Sequence, residues 1–65
     1  MKISVNGAGV ETSAQTLAEL LAEKGLAEAK LATAVNENFV PTALRAATPL
    51  SAGDRVEIVA PQQGG

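Results

Sequence analysis

The chain has 65 residues, a formal net charge of −2, no cysteine, no histidine and a single aromatic side chain. This composition excludes a disulfide, a thiol nucleophile, a histidine base and a thiolate metal site, and it leaves too few converging groups for a self-sufficient active site. The few lysines and arginines give no basic face for nucleic acid, and neither a signal-peptide pattern nor an apolar run of roughly 20 residues is present, so we expect a cytoplasmic protein without membrane contact.

The first segment of the chain predicts a β-hairpin. Ile3 and Val5 alternate with polar neighbours, as residues on the buried face of a strand do. Asn6-Gly7 follows, and this dipeptide readily takes positive φ at both central positions of a type I′ turn. Val10 and Thr12 then alternate with Gly9 and Glu11 along a short return strand.

Residues 16–25 carry the signal of a short helix. Thr16 and Glu19 have the spacing of a capping box, in which each side chain bonds to backbone N–H groups at the helix start. Gly25 is a natural stop, because glycine adopts the left-handed conformation without strain. A helix of about nine residues is unstable alone, so it must pack its apolar stripe on the rest of the domain. That stripe consists of Leu17, Leu20 and Leu21.

A second hairpin is predicted after the helix. Residues 31–36 are predicted to form a strand with Leu31, Thr33 and Val35 on one face. Residues 36–38 have the composition of a turn, and Phe39-Val40 begin a short return strand. Pro41 limits that strand, because proline cannot donate to a sheet ladder. Residues 42–50 carry no clear pattern beyond one helical turn followed by a loop.

The last predicted strand covers residues 55–60, with Val56 and Ile58 facing inward. A helix between two hairpins packs on one face of a mixed sheet, with the last strand central. We therefore expect an α+β fold of the β-grasp (ubiquitin-like) type, with about four to five strands and one main helix on one face. Residues 1–60 would form this domain, and residues 61–65 would form a flexible C-terminal tail.

The predicted core is small for the chain that it must order. Each buried side chain contributes about 1.5–3 kcal/mol, which barely offsets the conformational entropy of so short a chain, so modest stability is expected. The predicted core residues are Ile3, Val5, Val10, Leu17, Leu20, Leu21, Leu31, Val35, Leu50, Val56 and Ile58.

The tail finishes on Gly64-Gly65, after Pro61 and the polar pair Gln62-Gln63. Two final glycines occur by chance in about one chain in 200. The alternatives to a functional ending are an unstructured end that finishes in glycine by chance, a truncated chain and an engineered scar. The functional interpretation is that the Gly65 carboxylate is a substrate. A carboxylate must be activated before it reacts, and an activating enzyme has to thread the tail to its ATP, where glycine gives the clearance that a side chain would deny.

Several segments together resemble a known family in their order along the chain. They are Met1–Gly7, Thr16–Leu21, Ala34–Asn36 with Val40-Pro41, Leu50 with Gly53–Val59, and Gly64-Gly65. The chain resembles the thiamine-biosynthesis sulfur-carrier (ThiS) family, which is ubiquitin-like, over nearly its whole length. It departs at Thr42, where the family often has arginine, and at Gln62-Gln63, where a more apolar tail is common; both departures bear on partner contacts.

The resemblance implies a carrier protein and not an enzyme. An adenylyltransferase related to ubiquitin-activating enzymes would adenylate Gly65, beside Gly64, with ATP and magnesium that the partner binds. A persulfide donor such as a cysteine desulfurase would displace AMP to leave a C-terminal thiocarboxylate, and thiazole synthase would take the sulfur. The chain itself would bind no cofactor or metal and would be a monomer when free.

Partner docking is predicted on an apolar patch beside the tail. Phe39 and Val59 are the candidates on the sheet, with Gln62 and Gln63 on the tail. The alternative for Phe39, the only aromatic residue, is that it fills the core. Acidic contacts to a basic partner surface are also possible, although most surface charges are only solvated. The acidic candidates are Glu11, Asp54 and Glu57.

Two other interpretations stay open. The small subunit of molybdopterin synthase shares the fold, the ending and the thiocarboxylate, although its chains are usually longer. A TGS-type domain, a β-grasp binding module of translation and stringent-response proteins, has a final strand like Gly53–Ile58, but the Gly-Gly ending and the lack of a basic face argue against it. A β-grasp ferredoxin is excluded, because no cysteine is present to ligate a cluster.

Overall fold

The computed structural model describes residues 1–60 and builds them into one mixed sheet with a helix on one face. The strands lie in the order β2-β1-β5-β3-β4, with β5 parallel to β1 and antiparallel to β3. This confirms the predicted β-grasp fold and the central place of the last strand. The elements are β1 (Lys2–Val5), β2 (Ala8–Glu11), α1 (Leu17–Glu23), β3 (Ala32–Val35), β4 (Asn38–Val40), a 3₁₀ helix (Thr42–Ala47) and β5 (Arg55–Val59).

Both hairpins close through two-residue turns with positive φ at each central residue. Asn6 and Gly7 have φ values of 51° and 85°, and Asn36 and Glu37 have φ values of 51° and 72°. Positive φ at both positions is the signature of the type I′ turn, whose twist matches that of the flanking strands. The second turn is therefore shorter than predicted, and Asn38 is the first residue of β4 instead of the last residue of the turn.

The helix begins and ends close to where its capping signals predicted. The Glu19 backbone N–H donates to Thr16 Oγ1 at 3.2 Å, while Glu19 Oε1 accepts from the Gln15 N–H at 2.8 Å, one residue before the position that a capping box uses. Gly25 follows the C-terminal turn with φ of 75°. The leucine stripe is fully buried against the sheet. No helix in residues 1–60 is long and apolar enough to cross a membrane.

The core agrees with the prediction at most positions. Val10 and Leu31 are only partly buried, because Val10 lies on the edge strand β2 and Leu31 precedes β3. Ala14 and Val40 are buried although they were not predicted to be. The core residues are Ile3, Val5, Ala14, Leu17, Leu20, Leu21, Val35, Val40, Leu50, Val56 and Ile58.

The segment without a clear sequence pattern contains a 3₁₀ helix that is held by a buried arginine. Arg45 is only 7% exposed, and its Nε donates to Thr33 Oγ1 at 3.1 Å. Its Nη2 donates to the Leu31 carbonyl at 2.6 Å, and Thr33 Oγ1 in turn donates to the Val40 carbonyl at 2.8 Å. This chain of hydrogen bonds fastens the 3₁₀ helix to β3 and β4 and supplies polar partners for a buried cation.

Candidate functional site

The central strand β5 is the element from which the tail follows. Its last residue is Val59, and Ala60 is the last residue that the structure describes. The predicted reactive residues Gly64 and Gly65, and the predicted tail contacts Gln62 and Gln63, lie outside the described residues. The described part of the candidate site is therefore the surface of the sheet around the end of β5.

The outward face of the sheet is set by the alternation of three neighbouring strands. On β5, Val56 and Ile58 face the helix, so the residues between them and after them face outward. On β3, Thr33 and Val35 are buried, which turns Ala32 and Ala34 to the outer face. Residues that pair directly across antiparallel strands share a face, so the register decides which side chains are neighbours there.

Phe39 and Val59 lie on this same outer face. Ala34 pairs with Phe39 on one side and with Glu57 on the other, while Ala32 pairs with Val59. Phe39 is 68% exposed and Val59 is 58% exposed. They lie two strand spacings apart, about 10 Å across the sheet, with only two alanines on the strand between them. Phe39 is thus on the surface and does not fill the core.

We call the surface of Ala32, Ala34, Phe39 and Val59 the outer apolar face. Small side chains in its middle and two large exposed apolar side chains at its corners make it shallow and accessible. Exposed apolar surface that groups together, instead of being scattered singly, is characteristic of a protein interaction site. The geometry therefore brings together the two sheet residues predicted to dock partners.

The acidic residues considered for docking occupy different places. Glu57 is exposed and pairs with Ala34 across the sheet, so it borders the outer apolar face. Asp54 is engaged within the chain, since its carboxylate accepts from Asn36 Nδ2 at 3.0 Å and from the Ser51 N–H at 2.8 Å. Glu11 on β2 pairs with the N-terminal ammonium at 2.9 Å, and that hydrogen bond lowers the pKa of the Glu11 carboxyl.

Two shallow grooves among the described residues, of about 170 and 160 Å³, are small for a small-molecule site. One groove of about 170 Å³ is lined by Ser4, Gly7, Glu37, Arg55, Val56 and Glu57. Small-molecule sites usually enclose about 300–1,000 Å³, so this groove is below their range. Residues 1–60 also contain no cluster of three or more acidic side chains that could hold a metal ion.

Sequence reasoning missed a pair of asparagine contacts to β5. Asn6 Nδ2 donates to the Ile58 carbonyl at 3.0 Å, and the Ile58 N–H donates to Asn6 Oδ1 at 2.9 Å. Across the sheet, the Arg55 N–H donates to Asn36 Oδ1 at 3.0 Å. The signal available in the sequence was asparagine at the first position of each hairpin turn, which indicates a turn but does not reveal a partner far along the chain.

Comparison with known proteins places the chain in a family. The ThiS family matches residues 3–65. A crystal structure of the thiamine biosynthesis protein ThiS from Geobacter metallireducens superposes with a TM-score of 0.84, shares 28% identity, and the match covers 100% of both chains. An NMR solution structure of a thiamine biosynthesis protein from the same organism superposes with a TM-score of 0.77 at 28% identity, over 100% of this chain and 88% of that chain.

No curated protein gives a significant sequence match. The family match nevertheless begins at Ile3, the second residue of β1, includes every later strand and the helix, and continues through Gly64 and Gly65. The fold from the structure and the family from the sequence therefore agree. The chain belongs to the ThiS family.

Proposed function

We propose that this chain is a sulfur carrier for thiazole formation in thiamine biosynthesis, and that the Gly65 carboxylate carries the sulfur. The observation that carries the proposal is the ThiS family match, which runs through Gly64 and Gly65. The similar protein from Geobacter metallireducens, a thiamine biosynthesis protein, supports the pathway. The same support favours the thiamine pathway over molybdopterin synthesis and over a TGS-type binding module.

The chemistry begins with activation of the carboxylate. One Gly65 carboxylate oxygen attacks the α-phosphorus of ATP, and pyrophosphate leaves, which gives a C-terminal acyl-adenylate. An adenylyltransferase related to ubiquitin-activating enzymes binds the ATP and magnesium for this step, while the carrier contributes only its tail. Glycine at both terminal positions lets the backbone approach the nucleotide closely, since neither residue has a Cβ.

Sulfur then replaces oxygen at the activated carbon. The terminal sulfur of a donor persulfide attacks the acyl carbon and AMP leaves, so the carrier is joined to the donor through an acyl disulfide. A second thiol attacks the donor sulfur of this disulfide; the donor pair is oxidised to a disulfide, and the thiocarboxylate is released. Thiazole synthase takes its sulfur from this thiocarboxylate, and an oxygen atom from water or from the sulfur-accepting substrate replaces it, which regenerates the Gly65 carboxylate for another cycle in the cytoplasm.

Docking and reaction occur at separate places on the carrier. We assign docking to the outer apolar face, where Phe39 and Val59 are exposed. From Ala60 to Gly65 the backbone can extend by at most about 17 Å, given the reach of a fully extended residue. A partner that covers the outer apolar face must therefore hold its nucleotide within about this distance of the end of β5.

Removal of Gly65 tests the assignment of the reactive group. The truncated chain should support no ATP–pyrophosphate exchange with the activating enzyme, while its circular dichroism spectrum and unfolding midpoint stay those of the full chain. Lys2→Ala is the matched control, because Lys2 is exposed on β1 and has no part in the proposed chemistry. Full exchange activity in the truncated chain would refute the role of Gly65.

A further inference from the structure

Two asparagines occupy equivalent positions in the two hairpins, and both contact the central strand. Asn6 and Asn36 are each the first residue of a type I′ turn, and both have φ of 51°. The main-chain N–H of each asparagine donates to a carbonyl of β5, that of Val56 for Asn6 at 2.9 Å and that of Arg55 for Asn36 at 2.7 Å. In both cases the side-chain oxygen of the asparagine is the acceptor for a backbone N–H of β5.

Asn6 extends the pairing of β1 with β5 beyond the end of β1. Backbone pairing in register covers only Ser4 with Arg55 and Val5 with Val56, and the Asn6 N–H adds one bond to the Val56 carbonyl at 2.9 Å. The Asn6 amide then holds both polar groups of Ile58, accepting from its N–H at 2.9 Å and donating to its carbonyl at 3.0 Å. One side chain therefore supplies a donor and an acceptor to the end of β5, as a further strand residue would.

We propose that Asn6 is a positioning residue for the C-terminal tail, because it holds Ile58 on the β1 side of β5, one residue before Val59, at which the strand ends. The inference rests on the proposed function of Gly65. Asn36 makes the corresponding contact to Arg55, which begins β5 and lies about 10 Å from Ile58 at the spacing of strand residues. Of the two asparagines, only Asn6 contacts the end of β5 from which the tail follows.

Positioning of the strand end matters because adenylation is an in-line attack. The carboxylate oxygen has to reach the α-phosphorus in a narrow range of positions, and a displaced strand end moves the point from which the tail has to reach it. A strand end held only by β3 gives the tail a wider range of starting positions. Release of Ile58 from Asn6 should therefore slow the chemical step more than it weakens docking, since Phe39 on β4 is untouched and Val59 keeps its pairing with Ala32 on β3.

Matched glycine variants separate positioning from stability. Asn6→Gly and Asn36→Gly both keep a residue that accepts positive φ, and each removes the side-chain bonds to β5. In Asn6→Gly, amide hydrogen exchange at Ile58 should accelerate relative to the bulk of the sheet; in Asn36→Gly the selective acceleration should fall at Arg55 instead. This readout requires no partner enzyme.

Steady-state ATP–pyrophosphate exchange with the activating enzyme gives the functional readout, at equal concentrations of folded carrier. Asn6→Gly should lower kcat about tenfold with KM changed less than about threefold, while Asn36→Gly leaves both near the wild-type values. Asn6→Asp keeps the acceptor for the Ile58 N–H but loses the donor, so it should give an intermediate kcat and serves if the glycine variant does not fold.

Equal kcat values for the two glycine variants, or a change in KM alone, would overturn the positioning role while leaving the carrier function intact. If the wild-type chain itself supports no ATP–pyrophosphate exchange, the proposed function fails, and the positioning role fails with it. An unchanged rate of hydrogen exchange at the Ile58 amide in Asn6→Gly would also contradict the inference, because the hydrogen bond from Asn6 would then not hold the strand end.

Discussion

At the scale of single residues, the two hairpin turns show how side-chain chemistry and backbone conformation combine. Positive φ is unfavourable for most residues because Cβ crowds the following carbonyl, and asparagine and glycine tolerate it best. Asn6-Gly7 fits both positions of its turn, whereas the second turn places Glu37 at φ of 72°. Glu37 is thus held in a strained conformation by the closure of the second hairpin.

Glu37→Gly should raise the free energy of unfolding by about 0.5–1 kcal/mol. Relief of left-handed strain is worth about 1–2 kcal/mol, against which glycine loses conformational entropy on folding. The ion pair of Glu37 with Arg55 is also lost, but at 3.5 Å between two exposed side chains it contributes little. Urea denaturation checks the change, with Gly7→Ala as the converse variant, which should destabilise.

A loss of stability in Glu37→Gly would mean that the exposed ion pair outweighs the backbone strain. In that case Glu37→Gln, which removes the charge and keeps the strain, should reproduce the loss.

Arg45 has an energetic role that its residue type does not suggest. Hydrogen bonds that involve a charged group contribute about 1.5–3 kcal/mol, and a buried acceptor that loses its donor adds a further penalty. Arg45→Met keeps most of the aliphatic stem but should lower the free energy of unfolding by about 2–3 kcal/mol. The exposed Arg55 is the matched control, since Arg55→Met should change stability by no more than about 0.5 kcal/mol.

Equal effects of the two arginine substitutions on the urea midpoint would contradict this role for Arg45. The buried hydrogen bonds to Thr33 and Leu31 would then have no net contribution to stability.

At the scale of elements, the connections to β5 and α1 decide how the domain holds together. The end of α1 is joined to the loop before it by Glu23, whose carboxylate accepts from the Thr12 hydroxyl and from the Ser13 hydroxyl, the latter at 3.2 Å. The Thr12 hydrogen bond is the main cause that lowers the pKa of Glu23 below its ordinary value of 4.5. Thr12 is itself buried, so the contact links the helix to the hairpin edge.

This link predicts a pH dependence of stability. Because the pKa of the Glu23 carboxyl is lower in the folded state, the unfolded state binds more protons at acid pH. The stabilisation from this contact is therefore complete above about pH 4.5 and is lost as the pH falls through the folded-state pKa. Glu11 contributes in the same direction through the N-terminal ammonium. Urea midpoints between neutral pH and pH 3 should therefore fall less steeply in Glu23→Gln than in the wild-type chain, and parallel curves would argue against the link.

The elements could be predicted from the sequence because their signals are local. The Asn6-Gly7 turn, the Thr16 cap and the alternation along β5 each involve residues within a few positions of one another. The fastening contacts were missed because their partners are distant in sequence, as Asn6 and Ile58 are, 52 residues apart. The 3₁₀ helix was predicted only as one helical turn for a related reason, since it is held by Arg45, whose partner Thr33 lies on another element.

The candidate site was likewise predictable from the sequence only where local signals determine it. The exposure of Phe39 depended on the register of β4 against β3, which a two-residue turn at Asn36-Glu37 fixes. Local pattern alone left the core as an alternative for this residue. The roles of Gly64 and Gly65 stay predictions, supported by the family match.

At the scale of the whole molecule, the core and the proposed docking surface lie on opposite faces of the sheet. One face packs on α1 and forms the core, while the other presents the outer apolar face beside the end of β5. Substitutions on the outer face should therefore change binding with little change in folding. Surface substitutions away from special contacts usually alter stability by no more than about 0.5 kcal/mol.

Phe39→Ser tests this separation. The substitution should raise the KM of the activating enzyme for the carrier by about tenfold, as loss of an aromatic anchor does, with the unfolding midpoint nearly unchanged. Leu44→Ser is the matched control, because Leu44 is also an exposed large apolar residue, at 53%, but lies on the 3₁₀ helix, which contacts α1. If the two substitutions raise KM equally, the outer apolar face has no special part in docking.

The most direct test of the carrier role is the intact mass of the chain after incubation with the activating enzyme, ATP and a sulfur donor. The expected product is a species heavier by one sulfur-for-oxygen exchange, with the added mass in the C-terminal peptide that contains Gly65. The species should be absent when ATP is omitted or when Gly65 is deleted. A chain whose mass stays unmodified under the complete conditions would contradict the assignment of Gly65 as the sulfur-carrying residue.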